Sequence, residues 1–234
     1  MHCQSHPLFH QLAALLALMF FISSPLQAQN KVPDKASLDR WEPAIMAFEA
    51  ANKTASSATN GIVFYGSSSI RLWKTLTNDF EGLPVINRGF GGSQIADCTR
   101  YFSRAVAPLR PRVIVFYAGD NDISEGKTPG KVFEDFQRFV HKVHWSLPET
   151  KIIFLSIKPS PARWHHEKSM LEANKLVEAF CRQNEKLHYV DIHFPMLDEK
   201  KNPKEELFAG DRLHLSPKGY ELWTSILKPH LRNL

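Results

Sequence analysis

The sequence has few cysteines, and its histidines and cysteines are not spaced as metal ligands usually are. Only three cysteines occur among 234 residues, and no two of them form a C-x-x-C pair. His141 and His144 are three residues apart on a predicted helix, and residues 165–166 are both histidine. Neither set has a neighbouring cysteine or pair of carboxylates arranged as in a zinc site. We therefore predict surface histidines and no metal-ligating residues.

No Lys, Arg, Asp or Glu occurs in residues 1–30, and the apolar run inside that region is short. Residues 12–22 are continuously apolar, but a membrane-spanning helix needs roughly 20 such residues. A polar break follows the run, and Ala28 provides a small residue at a suitable cleavage point. We expect residues 1–28 to be a secretory signal peptide rather than a buried N-terminal helix, with residues 29–234 forming a single domain. The protein is then expected to be periplasmic or secreted, with no stable membrane span.

Basic residues are not interleaved with aromatic residues as they are on nucleic-acid-binding surfaces. The formal net charge is +5. Four arginines lie close together without that alternation, at Arg100, Arg104, Arg110 and Arg112. A modestly basic protein can favour anionic membranes or polysaccharides, although a solvated face accounts for the same residues. We therefore predict no nucleic-acid partner. The sequence does not indicate which oligomeric state the protein has.

Apolar segments alternate with amphipathic segments along the rest of the chain. The predicted strands are residues 62–65, 84–87, 113–117, 152–157 and 187–192. The longer predicted helices are residues 40–52, 93–106, 130–147, 171–184 and a last helix from residue 217. Continuous apolar strands fit a sheet that is buried on both faces. Their alternation with helices predicts a three-layer α/β/α domain, flavodoxin-like, with a five-stranded parallel sheet.

In such a sheet, with strand order 2-1-3-4-5, the topology keeps two cysteines apart. Right-handed crossovers put the helices that carry Cys98 and Cys181 on one face, with the helix between strands three and four lying between them. That arrangement separates the two residues by more than the ~7 Å between Cα atoms that a disulfide allows. We therefore predict two free thiols.

Four polar motifs lie where the carboxyl ends of the strands, or the segment beyond the last strand, are expected. They are Gly-Ser-Ser-Ser at residues 66–69, Asn-Arg-Gly-Phe-Gly-Gly-Ser at 87–93, Gly-Asp-Asn-Asp at 119–122 and Asp-Arg-Leu-His at 211–214. Each has an ordinary explanation alone, as a serine helix cap, a turn, or a polar loop. The carboxylates of Gly-Asp-Asn-Asp could instead bind a cation. The glycine motif could cradle a phosphate, but Gln94 stands in place of the last glycine of G-x-G-x-x-G.

Together the four motifs supply the parts that acyl transfer needs. These parts are a nucleophile, amide donors, and a base with an orienting carboxylate. Open α/β sheets bind their ligands at this carboxyl edge. The chain order Ser, Asp, His is also one of the known orders of a catalytic triad. The sequence therefore favours a serine-dependent acyl-transfer site, and four unrelated turns are the weaker explanation.

These motifs resemble those of the SGNH hydrolases, also called GDSL-type esterases and lipases, over about residues 61–220. The first motif is similar to the family's Gly-Asp-Ser-Leu block, which implies that Ser68 is the nucleophile. The family's second-block glycine falls on Gly92. The Gly-x-Asn-Asp block is matched in full and implies an amide donor at Asn121, and the Asp-x-x-His block implies Asp211 and His214.

The first motif departs from the family pattern at two positions. Ser67 replaces the usual aspartate, and Ser69 replaces the usual Leu or Ile, so three consecutive serines compete for the nucleophile's place. The resemblance selects Ser68 and leaves the other two to cap the following helix or to contact neighbouring loops. Ile70 stands where Gly-x-Ser-x-Gly has its last glycine, so an ordinary α/β-hydrolase is not predicted.

The resemblance implies a serine esterase that hydrolyses acyl or acetyl esters of lipids or carbohydrates through a Ser-His-Asp triad. Its oxyanion hole would consist of the backbone N–H groups of Ser68 and Gly92 and the side-chain amide of Asn121, with no metal or organic cofactor. Trp164, in the loop after strand four, is a candidate substrate-binding residue, or else packs on the next helix. An exported O-acetyltransferase acting on a polysaccharide or cell-wall sugar would share these residues. A non-catalytic binding module of the same fold is the other alternative.

Overall fold

Strands and helices alternate through residues 40–54 and 60–232, which are the residues that this computed structural model describes. The predicted signal peptide, residues 1–28, lies outside them. Within the described part, no helix is both long enough and apolar enough to cross a membrane. The strands are β1 (Ile62–Gly66), β2 (Val85–Gly89), β3 (Val113–Tyr117), β4 (Lys151–Leu155) and β5 (Leu187–Val190). The α-helices are α1 (Glu42–Thr54), α2 (Ser68–Arg71), α3 (Leu76–Asp79), α4 (Ile95–Ala105), α5 (Asp120–Ser124), α6 (Pro129–Ser146), α7 (Glu167–Cys181) and α8 (Pro217–Arg232).

The five strands form one parallel sheet in the order β2-β1-β3-β4-β5. In the register of the sheet, Ile62 of β1 lies between Val85 of the edge strand β2 and Val113 of β3. Every residue of β1 and β3 is buried, which explains why these segments are apolar throughout instead of alternating. The predicted fold class and strand order are confirmed.

Two apolar layers cover the sheet, because successive side chains of a strand point to opposite faces. On one face, Val63 and Phe116 belong to a core that includes residues of α1, α4, α6 and α7. On the other, Phe64 packs with Trp73 at 5.5 Å between ring centroids, in a core that α8 completes. The sheet is therefore the middle layer of an α/β/α sandwich.

Both cysteines in the described part of the chain are buried and unpaired, as predicted. Cys98 lies on α4 and Cys181 on α7, and both helices contribute to the same core. Helix α6 packs against each of them and therefore lies between them. This arrangement is the reason why the two thiols do not meet.

The loop after β4 begins earlier than the sequence predicts, at residue 156 instead of 158. Here polar side chains bond the backbone groups beyond the ends of the strands. The Ser156 hydroxyl accepts the N–H groups of Ile192 and His193 at 2.9 and 3.0 Å. The buried Asn174 of α7 bonds both backbone groups of Ile157, at 2.7 Å to its N–H and 3.1 Å to its carbonyl oxygen. These contacts fix the start of a loop that reaches the candidate site.

Candidate active site

The turn after β1 brings the serine motif to the carboxyl edge of the sheet. Gly66 ends β1 with φ of +140°, a conformation that L side chains rarely adopt. A Cβ here would also lie 1.9 Å from the carbonyl oxygen of Tyr117 on β3. The Ser67 N–H donates to that same oxygen at 2.9 Å. The turn is therefore tied to β3, and α2 begins at Ser68 next to it.

The three consecutive serines differ in accessibility and contacts. Ser67 and Ser69 are each 1% exposed, whereas Ser68 is partly exposed. The Ser68 Oγ lies 3.0 Å from Nε2 of His214. Ser69 lies against the last helix, where the Tyr220 hydroxyl donates to its carbonyl oxygen at 2.9 Å. Among the three, Ser68 is the serine whose hydroxyl reaches the histidine of the fourth motif.

Ser67 does not cap α2 through its side chain, which corrects one of the two roles expected for it. It occupies the N-cap position, but its Oγ is buried without a hydrogen-bond partner among the described residues. Its carbonyl oxygen instead accepts the N–H groups of Ile70 and Arg71, each at 3.1 Å. Helix α2 has a single turn, and these backbone bonds are sufficient to start it.

The fourth motif curls back so that its carboxylate meets its histidine. Asp211 Oδ2 lies 2.5 Å from Nδ1 of His214. Its other oxygen accepts the N–H groups of Leu213 and His214, both at 2.9 Å. Hydrogen bonding from the His214 side chain, and then from these two backbone groups, lowers the pKa of Asp211 from 3.8 to about 2. With Nδ1–H donating to the carboxylate, Nε2 is the acceptor that faces Ser68.

The glycine motif after β2 is held by residues that precede α1. Trp41 Nε1 donates to the Gly91 carbonyl oxygen at 2.9 Å, and Arg40 donates to the Gly92 carbonyl oxygen at 3.2 Å. The C=O and N–H groups of a trans peptide point in opposite directions. The Gly92 N–H, which shares its peptide with the Gly91 carbonyl, therefore points away from Trp41. Gly92 has φ of +74°, which favours glycine.

The third motif places its asparagine beside the glycine loop. Asn121 lies in the short helix α5 after β3 and is buried. Its Nδ2 donates to the carbonyl oxygen of Ser93 at 3.0 Å, next to Gly92 in the chain. Its backbone N–H donates to Asp120 at 3.0 Å. The loops that carry Gly92 and Asn121 are therefore joined by a direct hydrogen bond.

Asp122, the last residue of the third motif, holds the beginning of α4. Its carboxylate is fully buried and accepts the N–H of Ile95 at 3.2 Å and a bond from Lys127 Nζ at 2.8 Å. Burial raises the pKa of Asp122 to about 6, although the ammonium and the N–H oppose this effect. Sequence reasoning placed the amide donor of this motif at Asn121 and did not predict that its last carboxylate would bind the first residue of α4, which follows the second motif.

Two basic residues that sequence reasoning did not single out lie beside Asn121. Arg163 Nη1 is 3.0 Å from Asn121 Oδ1 and 3.0 Å from Asp120 Oδ2. Lys158 is 1% exposed, with Nζ 3.7 Å from the same carboxylate oxygen. Burial lowers the pKa of Lys158, and the Asp120 carboxylate opposes that shift. No motif or periodicity signals these contacts, because they join residues that are far apart in the chain, 42 and 43 positions for the two bonds of Arg163.

Trp164 follows Arg163 in a short 3₁₀ segment, Pro161–His166. It is partly exposed, and its part in substrate binding stays a prediction. Within the described ranges, no group of three or more His, Cys, Asp or Glu side chains is arranged to hold a metal ion.

The chain matches the model of the GDSL-like lipase/acylhydrolase family over residues 56–222. No curated protein sequence is significantly similar to it. Several solved structures share its fold.

A Streptococcus pneumonia protein provisionally described as a platelet activating factor superposes with a TM-score of 0.74 at 21% identity, covering 83% of this chain and 94% of its own. A GDSL-like lipase from Bacteroides thetaiotaomicron gives 0.69 at 21% identity, with 81% and 97% coverage. A variant of an acetyl-xylooligosaccharide esterase from Geobacillus Stearmophilus gives 0.57 at 14% identity, with 73% and 94% coverage. These likenesses show the fold, and the family match covers more than half of the sequence. The chain therefore belongs to the GDSL-like lipase/acylhydrolase family.

Proposed function

We propose that this protein is a serine esterase in which Ser68 attacks the carbonyl carbon of a carboxylic ester. The observation that carries the proposal is the line of contacts from Ser68 Oγ to His214 Nε2 at 3.0 Å and from His214 Nδ1 to Asp211 at 2.5 Å. A hydroxyl is a weak nucleophile unless a positioned base takes its proton. The base must be within hydrogen-bond reach and in the correct tautomer, and this line of contacts supports both requirements.

The reaction proceeds in two steps that use the same groups. His214 Nε2 takes the Ser68 proton as Oγ bonds to the carbonyl carbon, and then gives it to the leaving alcohol, which leaves an acyl-serine. A water molecule then attacks the acyl carbon as His214 removes its proton. The bond between this carbon and Oγ breaks, the carboxylic acid leaves, and His214 returns the proton to Ser68. Asp211 keeps Nδ1 protonated throughout and stabilises the imidazolium that forms in each step. No cofactor is needed for these proton transfers.

Charge develops on the carbonyl oxygen in both steps, and we propose that three donors receive it. They are the backbone N–H groups of Ser68 and Gly92 and the second Nδ2 hydrogen of Asn121. Ser68 is the first residue of α2, so its N–H has no acceptor within the helix. The Gly92 N–H is turned away from Trp41, and Asn121 lies beside the glycine loop. Fixed donors of this kind act in the transition state without reorganisation.

We expect Asn121→Ala to lower kcat by about 10²–10³-fold, with a smaller effect on KM. The amide would be lost from the transition state while the triad is kept. Steady-state kinetics on nitrophenyl acetate measures the effect, and thermal unfolding checks that the variant folds. An unchanged kcat would mean that the amide does not meet the developing charge.

We propose acyl or acetyl esters of lipids or carbohydrates as substrates. The solved neighbours include proteins described as a lipase and as an acetyl-xylooligosaccharide esterase, and Trp164 is adjacent in the chain to a residue that contacts Asn121. Hydrolysis of a panel of nitrophenyl esters from acetyl to long chains tests this proposal. Transfer of acetyl to an added sugar at the expense of hydrolysis would favour the O-acetyltransferase, and folded protein without turnover on any ester would favour the binding module.

We also propose that the protein is exported and cleaved near Ala28, because residues 12–22 form a short apolar run that ends in a polar break. Intact mass of protein recovered from the periplasm or the medium should then correspond to a chain that starts close to Gln29. Recovery of the full-length chain from the inner membrane would contradict export with cleavage.

A further inference from the structure

Arg163 contacts the amide that the proposed function assigns to the oxyanion hole. Its Nη1 lies 3.0 Å from Asn121 Oδ1 and 3.0 Å from Asp120 Oδ2. The Arg163 side chain is 18% exposed, so both contacts are largely shielded from water. The other end of the amide donates one hydrogen to the Ser93 carbonyl at 3.0 Å. Asn121 is therefore held at both of its polar atoms.

These contacts determine which way the amide faces. A guanidinium group has donors only, whereas an asparagine side chain has one acceptor oxygen and one donor nitrogen. If the Asn121 amide were flipped, its NH₂ group would face the Arg163 donors, and its oxygen would face the Ser93 carbonyl. Both contacts would then be repulsive. The observed orientation leaves the second Nδ2 hydrogen as the free donor, and the neighbouring positive charge polarises the amide, which strengthens that donor.

The loop that carries Arg163 is anchored on both sides. Before Arg163, the Asn174 side chain bonds both backbone groups of Ile157, two residues after the end of β4. Within the loop, the Ala162 N–H donates to the Arg212 carbonyl at 3.1 Å, inside the Asp-x-x-His motif. The Arg163 N–H donates to the Ser160 carbonyl, also at 3.1 Å. The loop therefore contacts both the Asn121 amide and the Asp-x-x-His segment that contains His214.

The role of Arg163 is not limited to neutralising the charge of Asp120. The buried Lys158 ammonium lies 3.7 Å from the same carboxylate oxygen, so Asp120 keeps a cation when the guanidinium is removed. Asn121 Oδ1 has no such second donor, since Arg163 makes the hydrogen bond that this oxygen accepts in the described structure.

We infer that Arg163 is a positioning residue that fixes the Asn121 amide for the developing oxyanion. The inference rests on the proposed esterase function for its kinetic consequence, but the orientation of the amide can be measured without turnover. Arg163 does not touch the reacting atoms in this account. Its effect on the reaction passes through Asn121.

A double-mutant cycle tests this dependence. Arg163→Met should lower kcat on nitrophenyl acetate by about 10–10²-fold, with a smaller change in KM, because it forfeits part of the 10²–10³-fold that a donor of this kind supplies. In the Asn121→Ala background, the same substitution should lower kcat less than about threefold, since no amide remains to be positioned. Equal losses in the two backgrounds, or no loss in the wild-type background, would overturn the inference.

Two further variants separate positioning from folding. Arg163→Lys keeps a cation beside Asp120, so it should unfold near the wild-type temperature. Its shorter side chain should not place a donor against Asn121 Oδ1 as the guanidinium does, so kcat should still be reduced. Arg104→Met is the matched control, because Arg104 also bonds two side chains, in its case the carboxylates of Glu42 and Glu49, which are not part of the site. It should leave kcat unchanged. Wild-type kcat in Arg163→Lys would overturn the inference.

The side-chain NH₂ resonances of Asn121 provide the measurement that does not depend on catalysis. They are assigned by their loss in Asn121→Ala and should shift and exchange faster in Arg163→Met, because the amide becomes free to rotate. Unchanged resonances would overturn the positioning role whether or not the protein hydrolyses esters. Changed resonances in a protein that turns over no ester would instead contradict the proposed function and leave the positioning intact.

Discussion

Ser68→Ala should lower ester hydrolysis by about 10⁶-fold, whereas Ser67→Ala and Ser69→Ala should keep most of the wild-type rate. Removing a nucleophile that acts as a unit with its base lowers the rate by about this factor. The hydroxyl of Ser68 is the one that lies 3.0 Å from His214 Nε2. The neighbouring serines are buried, and their removal does not touch this contact.

The two neighbours serve as matched controls, with different expected effects on stability. Ser67 Oγ is buried without a partner among the described residues, so Ser67→Ala removes an unsatisfied group and should be close to neutral. Ser69→Ala keeps the Tyr220 bond to the Ser69 carbonyl oxygen and should cost at most about 1 kcal/mol, the size of effect expected for the loss of one buried hydroxyl. Thermal unfolding and steady-state kinetics of the three variants measure both effects. Wild-type turnover in Ser68→Ala would show that another residue is the nucleophile.

Asp211→Asn should lower kcat by about 10⁴-fold, the size of effect expected when the orienting carboxylate of a triad becomes an amide. An asparagine can donate to Nδ1, which would favour the tautomer with the proton on Nε2. That nitrogen could then no longer take the proton of Ser68. The expected loss therefore arises from the wrong tautomer of His214, and the geometry of the site can remain intact.

The pH dependence follows from the lowered pKa of Asp211, which is about 2 in the folded protein. A carboxyl with a lowered folded pKa contributes stability above its ordinary pKa of ~3.9 and loses it as the pH falls toward 2. Protonation of Asp211 should therefore not limit activity above about pH 3.

Asp198→Asn is the matched control for Asp211→Asn, since Asp198 is also exposed and accepts a backbone N–H, from Asn202 at 2.8 Å, outside the site. It should keep wild-type kcat, and an equal loss in both variants would contradict the assigned role.

The sheet could be predicted from the sequence because its central strands are buried on both faces. Residues 113–117 form β3 with the predicted bounds, and the five strands have the order 2-1-3-4-5 that was expected for a flavodoxin-like sheet. The ends of helices were less predictable. Helix α7 begins at Glu167 and not near residue 171, because a 3₁₀ segment leads directly into it and no capping residue marks the boundary.

Only the residues of the candidate site that belong to a sequence motif could be predicted. The residues of the first three motifs follow strand ends, which the topology of a parallel sheet brings together, and the fourth motif lies in the segment beyond β5. The contacts that support them come from distant parts of the chain. Trp41 bonds Gly91 across 50 positions, and Arg163 bonds Asn121 across 42. Hydrophobic periodicity describes single segments and contains no information on which loop side chains meet.

The central claim is that Ser68 is the activated nucleophile, and covalent labelling tests it most directly. The mature protein is treated with a serine-directed phosphonate, and intact mass and peptide mapping are measured for the wild type and for Ser68→Ala, with Ser67→Ala as the control. We expect one adduct on the wild type and on the control, located on Ser68, and none on Ser68→Ala. An adduct that persists on Ser68→Ala, or a folded wild type that takes up no label, would contradict the claim.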